Sequence, residues 1–324
     1  MHIPDNFLDP KTALVTSALA AGAVGLALHR AQRDLPPARV PLLGLGAAFI
    51  FAAQMINFPV VAGTSGHLVG GVLVASLLGP AAAVVVMTAV LVVQCFLFAD
   101  GGVTALGANI LNMGVVGAVG GWCAAQAVVR LVPGMAGRVA AVAFGGWFSM
   151  VLAAAACACE LAASGTVRLS LALPALTGIH ALIGLGEGLI SALVFSTVAR
   201  LRPELLSHAA PVSRSGRARD LWTWGLTVSF ALAVLLAPWA SSWPDGLEKV
   251  AEHLGFADRA TAHLPAPMPD YSVPGMSHTV LTVALAGVTG TLVVLVLALL
   301  LGRWLVRPAS GLHAGQPAPQ RRTP

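Results

Sequence analysis

Long runs of apolar residues constrain this chain more than any other feature of its sequence. Eight runs reach roughly the 20 residues that an α-helix needs to cross the hydrocarbon core of a bilayer. Only 10% of the residues are charged, against about 25% in soluble domains. The pattern predicts an all-α fold, a polytopic membrane helical bundle. The predicted spans are 11–29, 41–57, 68–98, 102–131, 138–163, 174–200, 221–240 and 279–306.

The run 68–98 is too long for a single span. As one helix it would measure about 46 Å, whereas the hydrocarbon core is about 30 Å thick. Gly79–Pro80 lies near its middle, and this pair is typical of a helix break. We therefore expect a short helix over 68–79 and a full span over 80–98, which gives about nine membrane segments.

The basic residues predict the orientation of the bundle. With an extracytoplasmic N-terminus and the run 68–98 divided in two, fourteen of the eighteen Lys and Arg residues fall on the cytoplasmic side. Without the break, every later loop would change sides and this bias would collapse. The C-terminus is then cytoplasmic, and His2 and His67 lie on the outer side. Because the basic residues are scattered over short loops, no nucleic-acid partner is expected.

The composition also predicts two membrane modules. Residues 1–200 are dense in Gly and Ala, as closely packed membrane helices require. An arginine-rich cytoplasmic linker, 201–220, precedes a second module, 221–306, in which two spans enclose an outer loop over 241–278. The tail 307–324 is rich in Pro, Gly and Arg, and we expect it to be disordered.

The N-terminus carries the most distinctive chemistry. Residues 1–9 contain two aspartates and no basic n-region, so we expect no signal peptide and a mature chain that begins at Met1. The amine of Met1, the amide nitrogen of His2 and the His2 imidazole could bind one ion in a plane, with His67 completing a square. Four nitrogen donors suit Ni(II) or Cu(II), with Co(II) possible. The alternative is that His2 is an exposed terminal residue and His67 a helix-capping histidine.

Several segments of the first module closely resemble the NikM/CbiM family, the substrate-binding component of nickel and cobalt energy-coupling factor (ECF) transporters. In that family the N-terminal amine, the amide and side chain of the second residue and the histidine of GTSGH bind the metal. The resemblance therefore implies metal ligands at Met1, His2 and His67. The segments that carry it are MHIPDNFL at 1–8, NFPVVAGTSGHLVGG at 57–71, LGP at 78–80, GANILNMG at 107–114 and GIHALIGLGEG at 178–188.

The second module contains Pro-Asp-Gly-Leu-Glu at 244–248, which looks like the PDGLE signature of the small N-type subunit of such transporters. That subunit is similar in layout, with two spans around an outer loop, so the resemblance implies a fused N-type module. The alternative is an ordinary Pro-Asp-Gly turn that leads into a helix.

Other polar residues are expected to support the metal site. Asp5 is predicted to hold an imidazole through its second nitrogen, a common device around metal ligands, and Asn109 and Asn112 are predicted to orient nearby loops. Ser65, within the GTSGH segment, is a further supporting candidate. His180 and Glu187 share a helical face, and we expect them to form a buried hydrogen-bonded pair that fixes packing. The alternative is an ion relay, because an acidic residue deep in a span is costly enough to suggest a role.

The resemblance implies a substrate-capture component of an ECF-type ABC importer for Ni(II) or Co(II), in the cytoplasmic membrane of a bacterium or archaeon. A P-loop needs Gly-Lys-Ser/Thr, and the lysines here follow Pro10 and Glu248, so we expect no ATPase activity and no enzyme. The expected partners are a transmembrane coupling (T) protein, cytoplasmic ABC ATPases, the transported metal and membrane lipid. No cofactor is expected.

Two other functions remain open at this stage. Gly63-Thr64-Ser65-Gly66 fits a rhomboid-like intramembrane serine hydrolase in which His180 would be the base for Ser65. The other is a metal receptor without transport. The hydrolase leaves the Met1-His2 start unexplained, and dependence of metal uptake on an ATPase would separate the receptor from the importer.

Overall fold

Membrane-length helices form most of the described chain. The computed structural model describes residues 1–61, 63–206 and 215–306. Residues 207–214 of the predicted linker, and the predicted disordered tail 307–324, lie outside the described residues. The helices are α1 (Pro10–Asp34), α2 (Val40–Gln54), α3 (Gly71–Leu78), α4 (Pro80–Phe98), α5 (Leu106–Asn109), α6 (Ala118–Leu131), α7 (Gly134–Ala163), α8 (Leu169–Leu201), α9 (Ser215–Ala231), α10 (Gly246–Leu254) and α11 (Thr279–Leu305).

Shorter elements extend or connect these helices. Two strands, β1 (Phe58–Pro59) and β2 (Ser65–Gly66), pair antiparallel with Phe58 opposite Gly66. Single 3₁₀ turns cover Pro37–Arg39, Pro203–Leu206, Ala237–Trp239, Ala257–Arg259 and Pro269–Tyr271, and π-helical turns cover Ile110–Gly117 and Leu232–Leu236.

The all-α membrane fold predicted from hydropathy is confirmed. Within the described residues, eight helical stretches are long and apolar enough to cross a membrane. The break at Gly79–Pro80 is also present, because α3 ends at Leu78 and α4 begins at Pro80. Proline is favoured at this first helical position, since its missing N–H has no partner there in any case. The orientation of the bundle stays a prediction.

The helices of the second module pack into the first. Helix α11 of the second module contacts α2 and α4 of the first. Within the first module, α7 contacts α6 and α8. In the loop that precedes α11, Tyr271 stacks on Phe98 with ring centroids 4.6 Å apart. Other faces are apolar and exposed, as expected of surfaces in lipid: on α8, Leu185, Leu189 and Leu193 are spaced one turn apart and each is about 60% exposed.

Four segments meet at one end of the bundle. The N-terminal segment 1–9 joins the loop after α4 through a hydrogen bond from the Gly102 amide to the Ile3 carbonyl. The segment before α3 joins the loop before α10, where the Ser65 amide donates to the Pro244 carbonyl. The Met1 amine contacts Asp245 in the loop before α10, so both candidate metal-binding segments are brought to the same place.

Candidate metal centre

The first three residues are held in a buried, fixed conformation. The Ile3 amide donates to Asn109 Oδ1 at 2.7 Å, and Asn109 Nδ2 donates back to the Ile3 carbonyl at 3.1 Å. Met1 is 3% exposed and Ile3 is fully buried. Asn109, predicted to orient a loop near the site, thus clamps the backbone beside His2.

His67 presents one ring nitrogen to this segment. Its Nδ1 lies 3.0 Å from the Leu68 carbonyl oxygen. A carbonyl can only accept a hydrogen bond, so Nδ1 carries the proton and the lone pair is on Nε2. Burial lowers the pKa of His67 to about 3, helped by the Met1 and His2 charges, and the ring is therefore neutral near pH 7.

The three residues predicted to bind metal come together. The Met1 amine lies 3.1 Å from His67 Nε2. The rings of His2 and His67 are stacked, with centroids 5.4 Å apart and planes inclined by 18°. Nitrogen donors separated by 66 positions in sequence therefore line one small site.

His2 is held at both ring nitrogens. Its Nδ1 lies 3.0 Å from Asp100 Oδ1, and its Nε2 lies 3.2 Å from Gln94 Oε1. Tyr271 donates from its hydroxyl to Asp100 Oδ2 at 2.6 Å. Burial raises the pKa of Asp100, but the His2 contact and the Tyr271 hydrogen bond together lower it by more, so this carboxyl is ionised.

The second module contributes a counter-charge. Asp245 Oδ2 lies 2.7 Å from the Met1 amine. Burial lowers the pKa of this amine, but the charge and hydrogen bond of Asp245 raise it by more, so the net shift is upward. Burial likewise raises the pKa of Asp245, yet the Met1 ammonium brings it below its usual range. Gly246 packs against His180, because a Cβ at Gly246 would lie 2.8 Å from His180 Cε1.

The remaining predicted supports have other partners. Asp5 accepts from the Thr104 amide at 2.8 Å, and the imidazole it contacts is that of His263, at 3.2 Å, so it does not orient His2. Asn112 donates to Glu160 Oε2 at 2.7 Å, within the interior of the bundle.

The predicted His180–Glu187 pair is wrong for the described side chains. Glu187 accepts from the amides of Val69 and Gly70 at 2.6 and 2.9 Å, and His180 Nδ1 contacts the Leu176 carbonyl at 2.8 Å. The reason is local: the amides at the start of α3 have no partner within the helix, and a carboxylate satisfies two of them.

Sequence reasoning missed Asp100, Gln94 and Asp245 as neighbours of the site. Among the described residues, no group of three or more His, Cys, Asp or Glu side chains is arranged to hold a metal ion. The nitrogen donors that meet at Met1, His2 and His67 include a terminal amine and a backbone amide, so the candidate site does not consist of side chains alone.

Comparison with known proteins identifies the family. The model of the cobalt uptake substrate-specific transmembrane region, CbiM, matches residues 2–205. This chain belongs to the CbiM family. The PDGLE domain model matches residues 219–307, so a PDGLE domain follows the CbiM region in the same chain.

Full-length relatives share this two-part arrangement. The fused nickel transport protein NikMN of Rhodobacter capsulatus is 32% identical over 363 aligned positions, covering 99% of each chain. A relative from Archaeoglobus fulgidus, assigned to the same fused NikMN class, is 36% identical over 306 positions, covering 94% of this chain and 99% of its own. A crystal structure of a truncated transition metal transporter is 31% identical and covers 62% of this chain and 99% of its own, with a TM-score of 0.57. The chain is thus a multi-pass membrane protein of a nickel and cobalt transport family.

The serine hydrolase alternative gains no support. Ser65 Oγ donates to the Trp243 carbonyl at 2.6 Å, and His180 is committed to a backbone carbonyl of its own helix. In a hydrolase the serine hydroxyl would donate to its base. The serine instead joins the GTSGH segment to the loop of the PDGLE domain.

Proposed function

We propose that this protein captures Ni(II) or Co(II) at the outer face of the cytoplasmic membrane, as the substrate-binding component of an ECF-type importer. The observation that carries the proposal is the approach of the Met1 amine to within 3.1 Å of His67 Nε2, beside the stacked His2 ring. The metal is the transported substrate. The proposal takes Met1 as the first residue of the mature chain.

The proposed ligands are the Met1 amine, the amide nitrogen and Nδ1 of His2, and His67 Nε2. The amine, the amide and Nδ1 are spaced along the chain to form two fused chelate rings on one ion, which Nε2 of the same ring could not close. Nitrogen donors of this kind favour late transition metals over Mg²⁺ or Ca²⁺. On binding, the metal would take His2 Nδ1 from Asp100 and the Met1 amine from Asp245, displacing protons as metal ligation requires.

Energy for import would come from partners. The sequence has no P-loop lysine, so a transmembrane coupling protein and cytoplasmic ABC ATPases would drive reorientation of the bundle. The PDGLE domain would promote loading or release, and the Met1–Asp245 ion pair supports this role because it joins that domain to a proposed ligand.

Replacement of His67 tests the ligand set. We expect His67→Ala to lose the metal that co-purifies with the wild type and to abolish ATPase-dependent uptake by the assembled transporter. His253, exposed on α10, offers the matched control, and His253→Ala should behave as wild type. Metal retained by His67→Ala at wild-type stoichiometry would refute the proposal. Uptake that continues without the ATPases would refute the importer.

The terminal amine is tested separately. One residue added before Met1 moves the amine away from His67 while every side chain remains, so we expect binding to be lost. The absorption spectrum of the metal-loaded wild type then distinguishes a planar, diamagnetic nickel centre from cobalt. Full binding by the extended chain would exclude Met1 as a ligand.

A further inference from the structure

Two buried glutamines connect His2 to the segment that carries His67. Gln94 Oε1 faces His2 Nε2 at 3.2 Å, and Gln94 Nε2 donates to Gln54 Oε1 at 2.8 Å. Gln54 Nε2 donates to the Val69 carbonyl at 2.9 Å. Gln94 is fully buried and Gln54 is 5% exposed, so both amides must find their hydrogen-bond partners within the protein.

The donor-to-acceptor direction of these hydrogen bonds is fixed where they end, at Val69. The Val69 carbonyl can only accept, so Gln54 must present its NH₂ group there and its oxygen to Gln94. Gln94 must then present its NH₂ group to Gln54 and its oxygen to His2. An oxygen facing His2 Nε2 requires a proton on that nitrogen. The nitrogen that can exchange its proton for a metal is therefore Nδ1, which faces Asp100 and is the atom that can chelate with the His2 amide.

The Val69 end of this hydrogen-bond series is anchored to α8. The Val69 and Gly70 amides donate to Glu187 on α8, and the Glu187 side chain is fully buried. Val69 lies two residues after His67, so the same peptide segment that carries one proposed ligand also receives the hydrogen-bond chain from the other.

We infer that Gln94 and Gln54 are positioning residues, which keep the proton of His2 on Nε2, so that Nδ1 is the nitrogen that passes from Asp100 to the metal, and which hold the ring against the His67 segment. This inference rests on the proposed function. Groups that bind the remote nitrogen of a ligating histidine set its tautomer and orientation, and their removal typically weakens metal binding about 10- to 100-fold.

Conservative variants isolate the role. Gln94→Met keeps the length of the side chain and removes its acceptor, so we expect nickel affinity to fall about 10- to 100-fold and the absorption band of the bound metal to shift. Gln94→Glu restores an oxygen facing His2, and its buried carboxyl in the protonated form still donates to Gln54 Oε1, so it should recover affinity and band position. Gln126→Met, on α6, is the matched control and should leave both unchanged.

Gln54→Met provides a second, independent test. Without Gln54, the Gln94 amide loses an acceptor that helps to fix its direction, and it can more readily turn its NH₂ group towards His2, which favours the wrong tautomer. We expect a loss of about 10-fold, and the double variant Gln54→Met/Gln94→Met should lose little more than Gln94→Met alone, because both changes remove one function.

Wild-type affinity and an unchanged band in both single variants would overturn the inference, as would equal losses in Gln94→Met and Gln94→Glu. If Gln94→Met does not fold, Gln54→Met decides, since it retains the Gln94 side chain beside His2 and removes only a partner that sets the direction of its amide. Loss of metal by His67→Ala with full binding by both glutamine variants would reject the positioning role alone. Full binding by His67→Ala would reject the proposed function itself.

Discussion

Replacement of Gly70 by alanine should be costly, because two separate effects oppose it. Gly70 precedes α3 with φ +73° and ψ 0°, a left-handed conformation that costs an L-residue about 1–2 kcal/mol. An alanine Cβ there would lie 2.1 Å from Ile50 Cδ1. Overpacking of this kind typically costs about 1–3 kcal/mol. We therefore expect Gly70→Ala to lower the free energy of unfolding by about 2–5 kcal/mol.

A second substitution separates the two effects. Ile50→Val removes Cδ1, the atom that the new methyl group would meet, at a cost of about 0.5–1.5 kcal/mol by itself. In the Ile50→Val background, Gly70→Ala should cost only the conformational part, about 1–2 kcal/mol. Reversible unfolding in mixed micelles measures all four proteins. If Gly70→Ala costs the same in both backgrounds, the steric argument fails, and if it costs nothing in either, the left-handed conformation is wrong.

Two further predictions concern the metal-binding segments. Asn109→Ala removes both hydrogen bonds to Ile3, so hydrogen exchange of the Ile3 amide, followed by mass spectrometry, should accelerate; unchanged exchange would show that the clamp is unnecessary. The pKa of His67 is about 3 in the folded protein, below its ordinary value of about 6.5. Below pH 6.5 the unfolded chain therefore takes up a proton that the folded chain does not, and stability of the metal-free protein should fall until pH reaches about 3. His67→Phe should reduce this fall, and an identical pH profile would contradict the burial of a neutral ring.

Local signals in the sequence were sufficient for much of the fold. Runs of apolar residues indicated the spanning helices, and Gly79–Pro80 marked the end of α3 because both residues act on their immediate backbone. The candidate ligands were also within reach, since Met1 and His2 are adjacent and His67 lies in a distinctive motif. Each of these features depends on a few neighbouring residues.

The surroundings of the site could not be predicted in the same way. Gln94 meets His2 across 92 positions, and Asp245 meets Met1 from a different domain of the chain. Asp5 has the same charge as Asp100 and lies closer to His2 in sequence, yet Asp100 contacts the ring. The local sequences of Asp5 and Asp100 do not indicate which of them contacts His2, because this depends on where the loop after α4 folds back.

Asp245 shows that two interpretations of the PDGLE segment are compatible. One interpretation is an ordinary Pro-Asp-Gly turn that leads into a helix. Asp245 does cap α10, because its Oδ1 accepts from the Leu247 and Glu248 amides at 2.8 and 2.9 Å. The other carboxylate oxygen, Oδ2, lies 2.7 Å from the Met1 amine. Asparagine caps helices about as well as aspartate but has no charge, so the cap alone does not require Asp.

Asp245→Asn should therefore separate the two roles. We expect α10 to stay folded, with unchanged protease resistance of the loop 241–278. The Met1 amine, however, loses the charge that raises its pKa, while the burial that lowers it remains. Labelling of this amine by acetic anhydride in the metal-free protein should consequently begin at lower pH than in the wild type. Asp258→Asn, at an exposed position in the same loop, should leave the profile unchanged. An identical labelling profile for Asp245→Asn would mean that the second oxygen has no electrostatic role, and that the capping interpretation is sufficient.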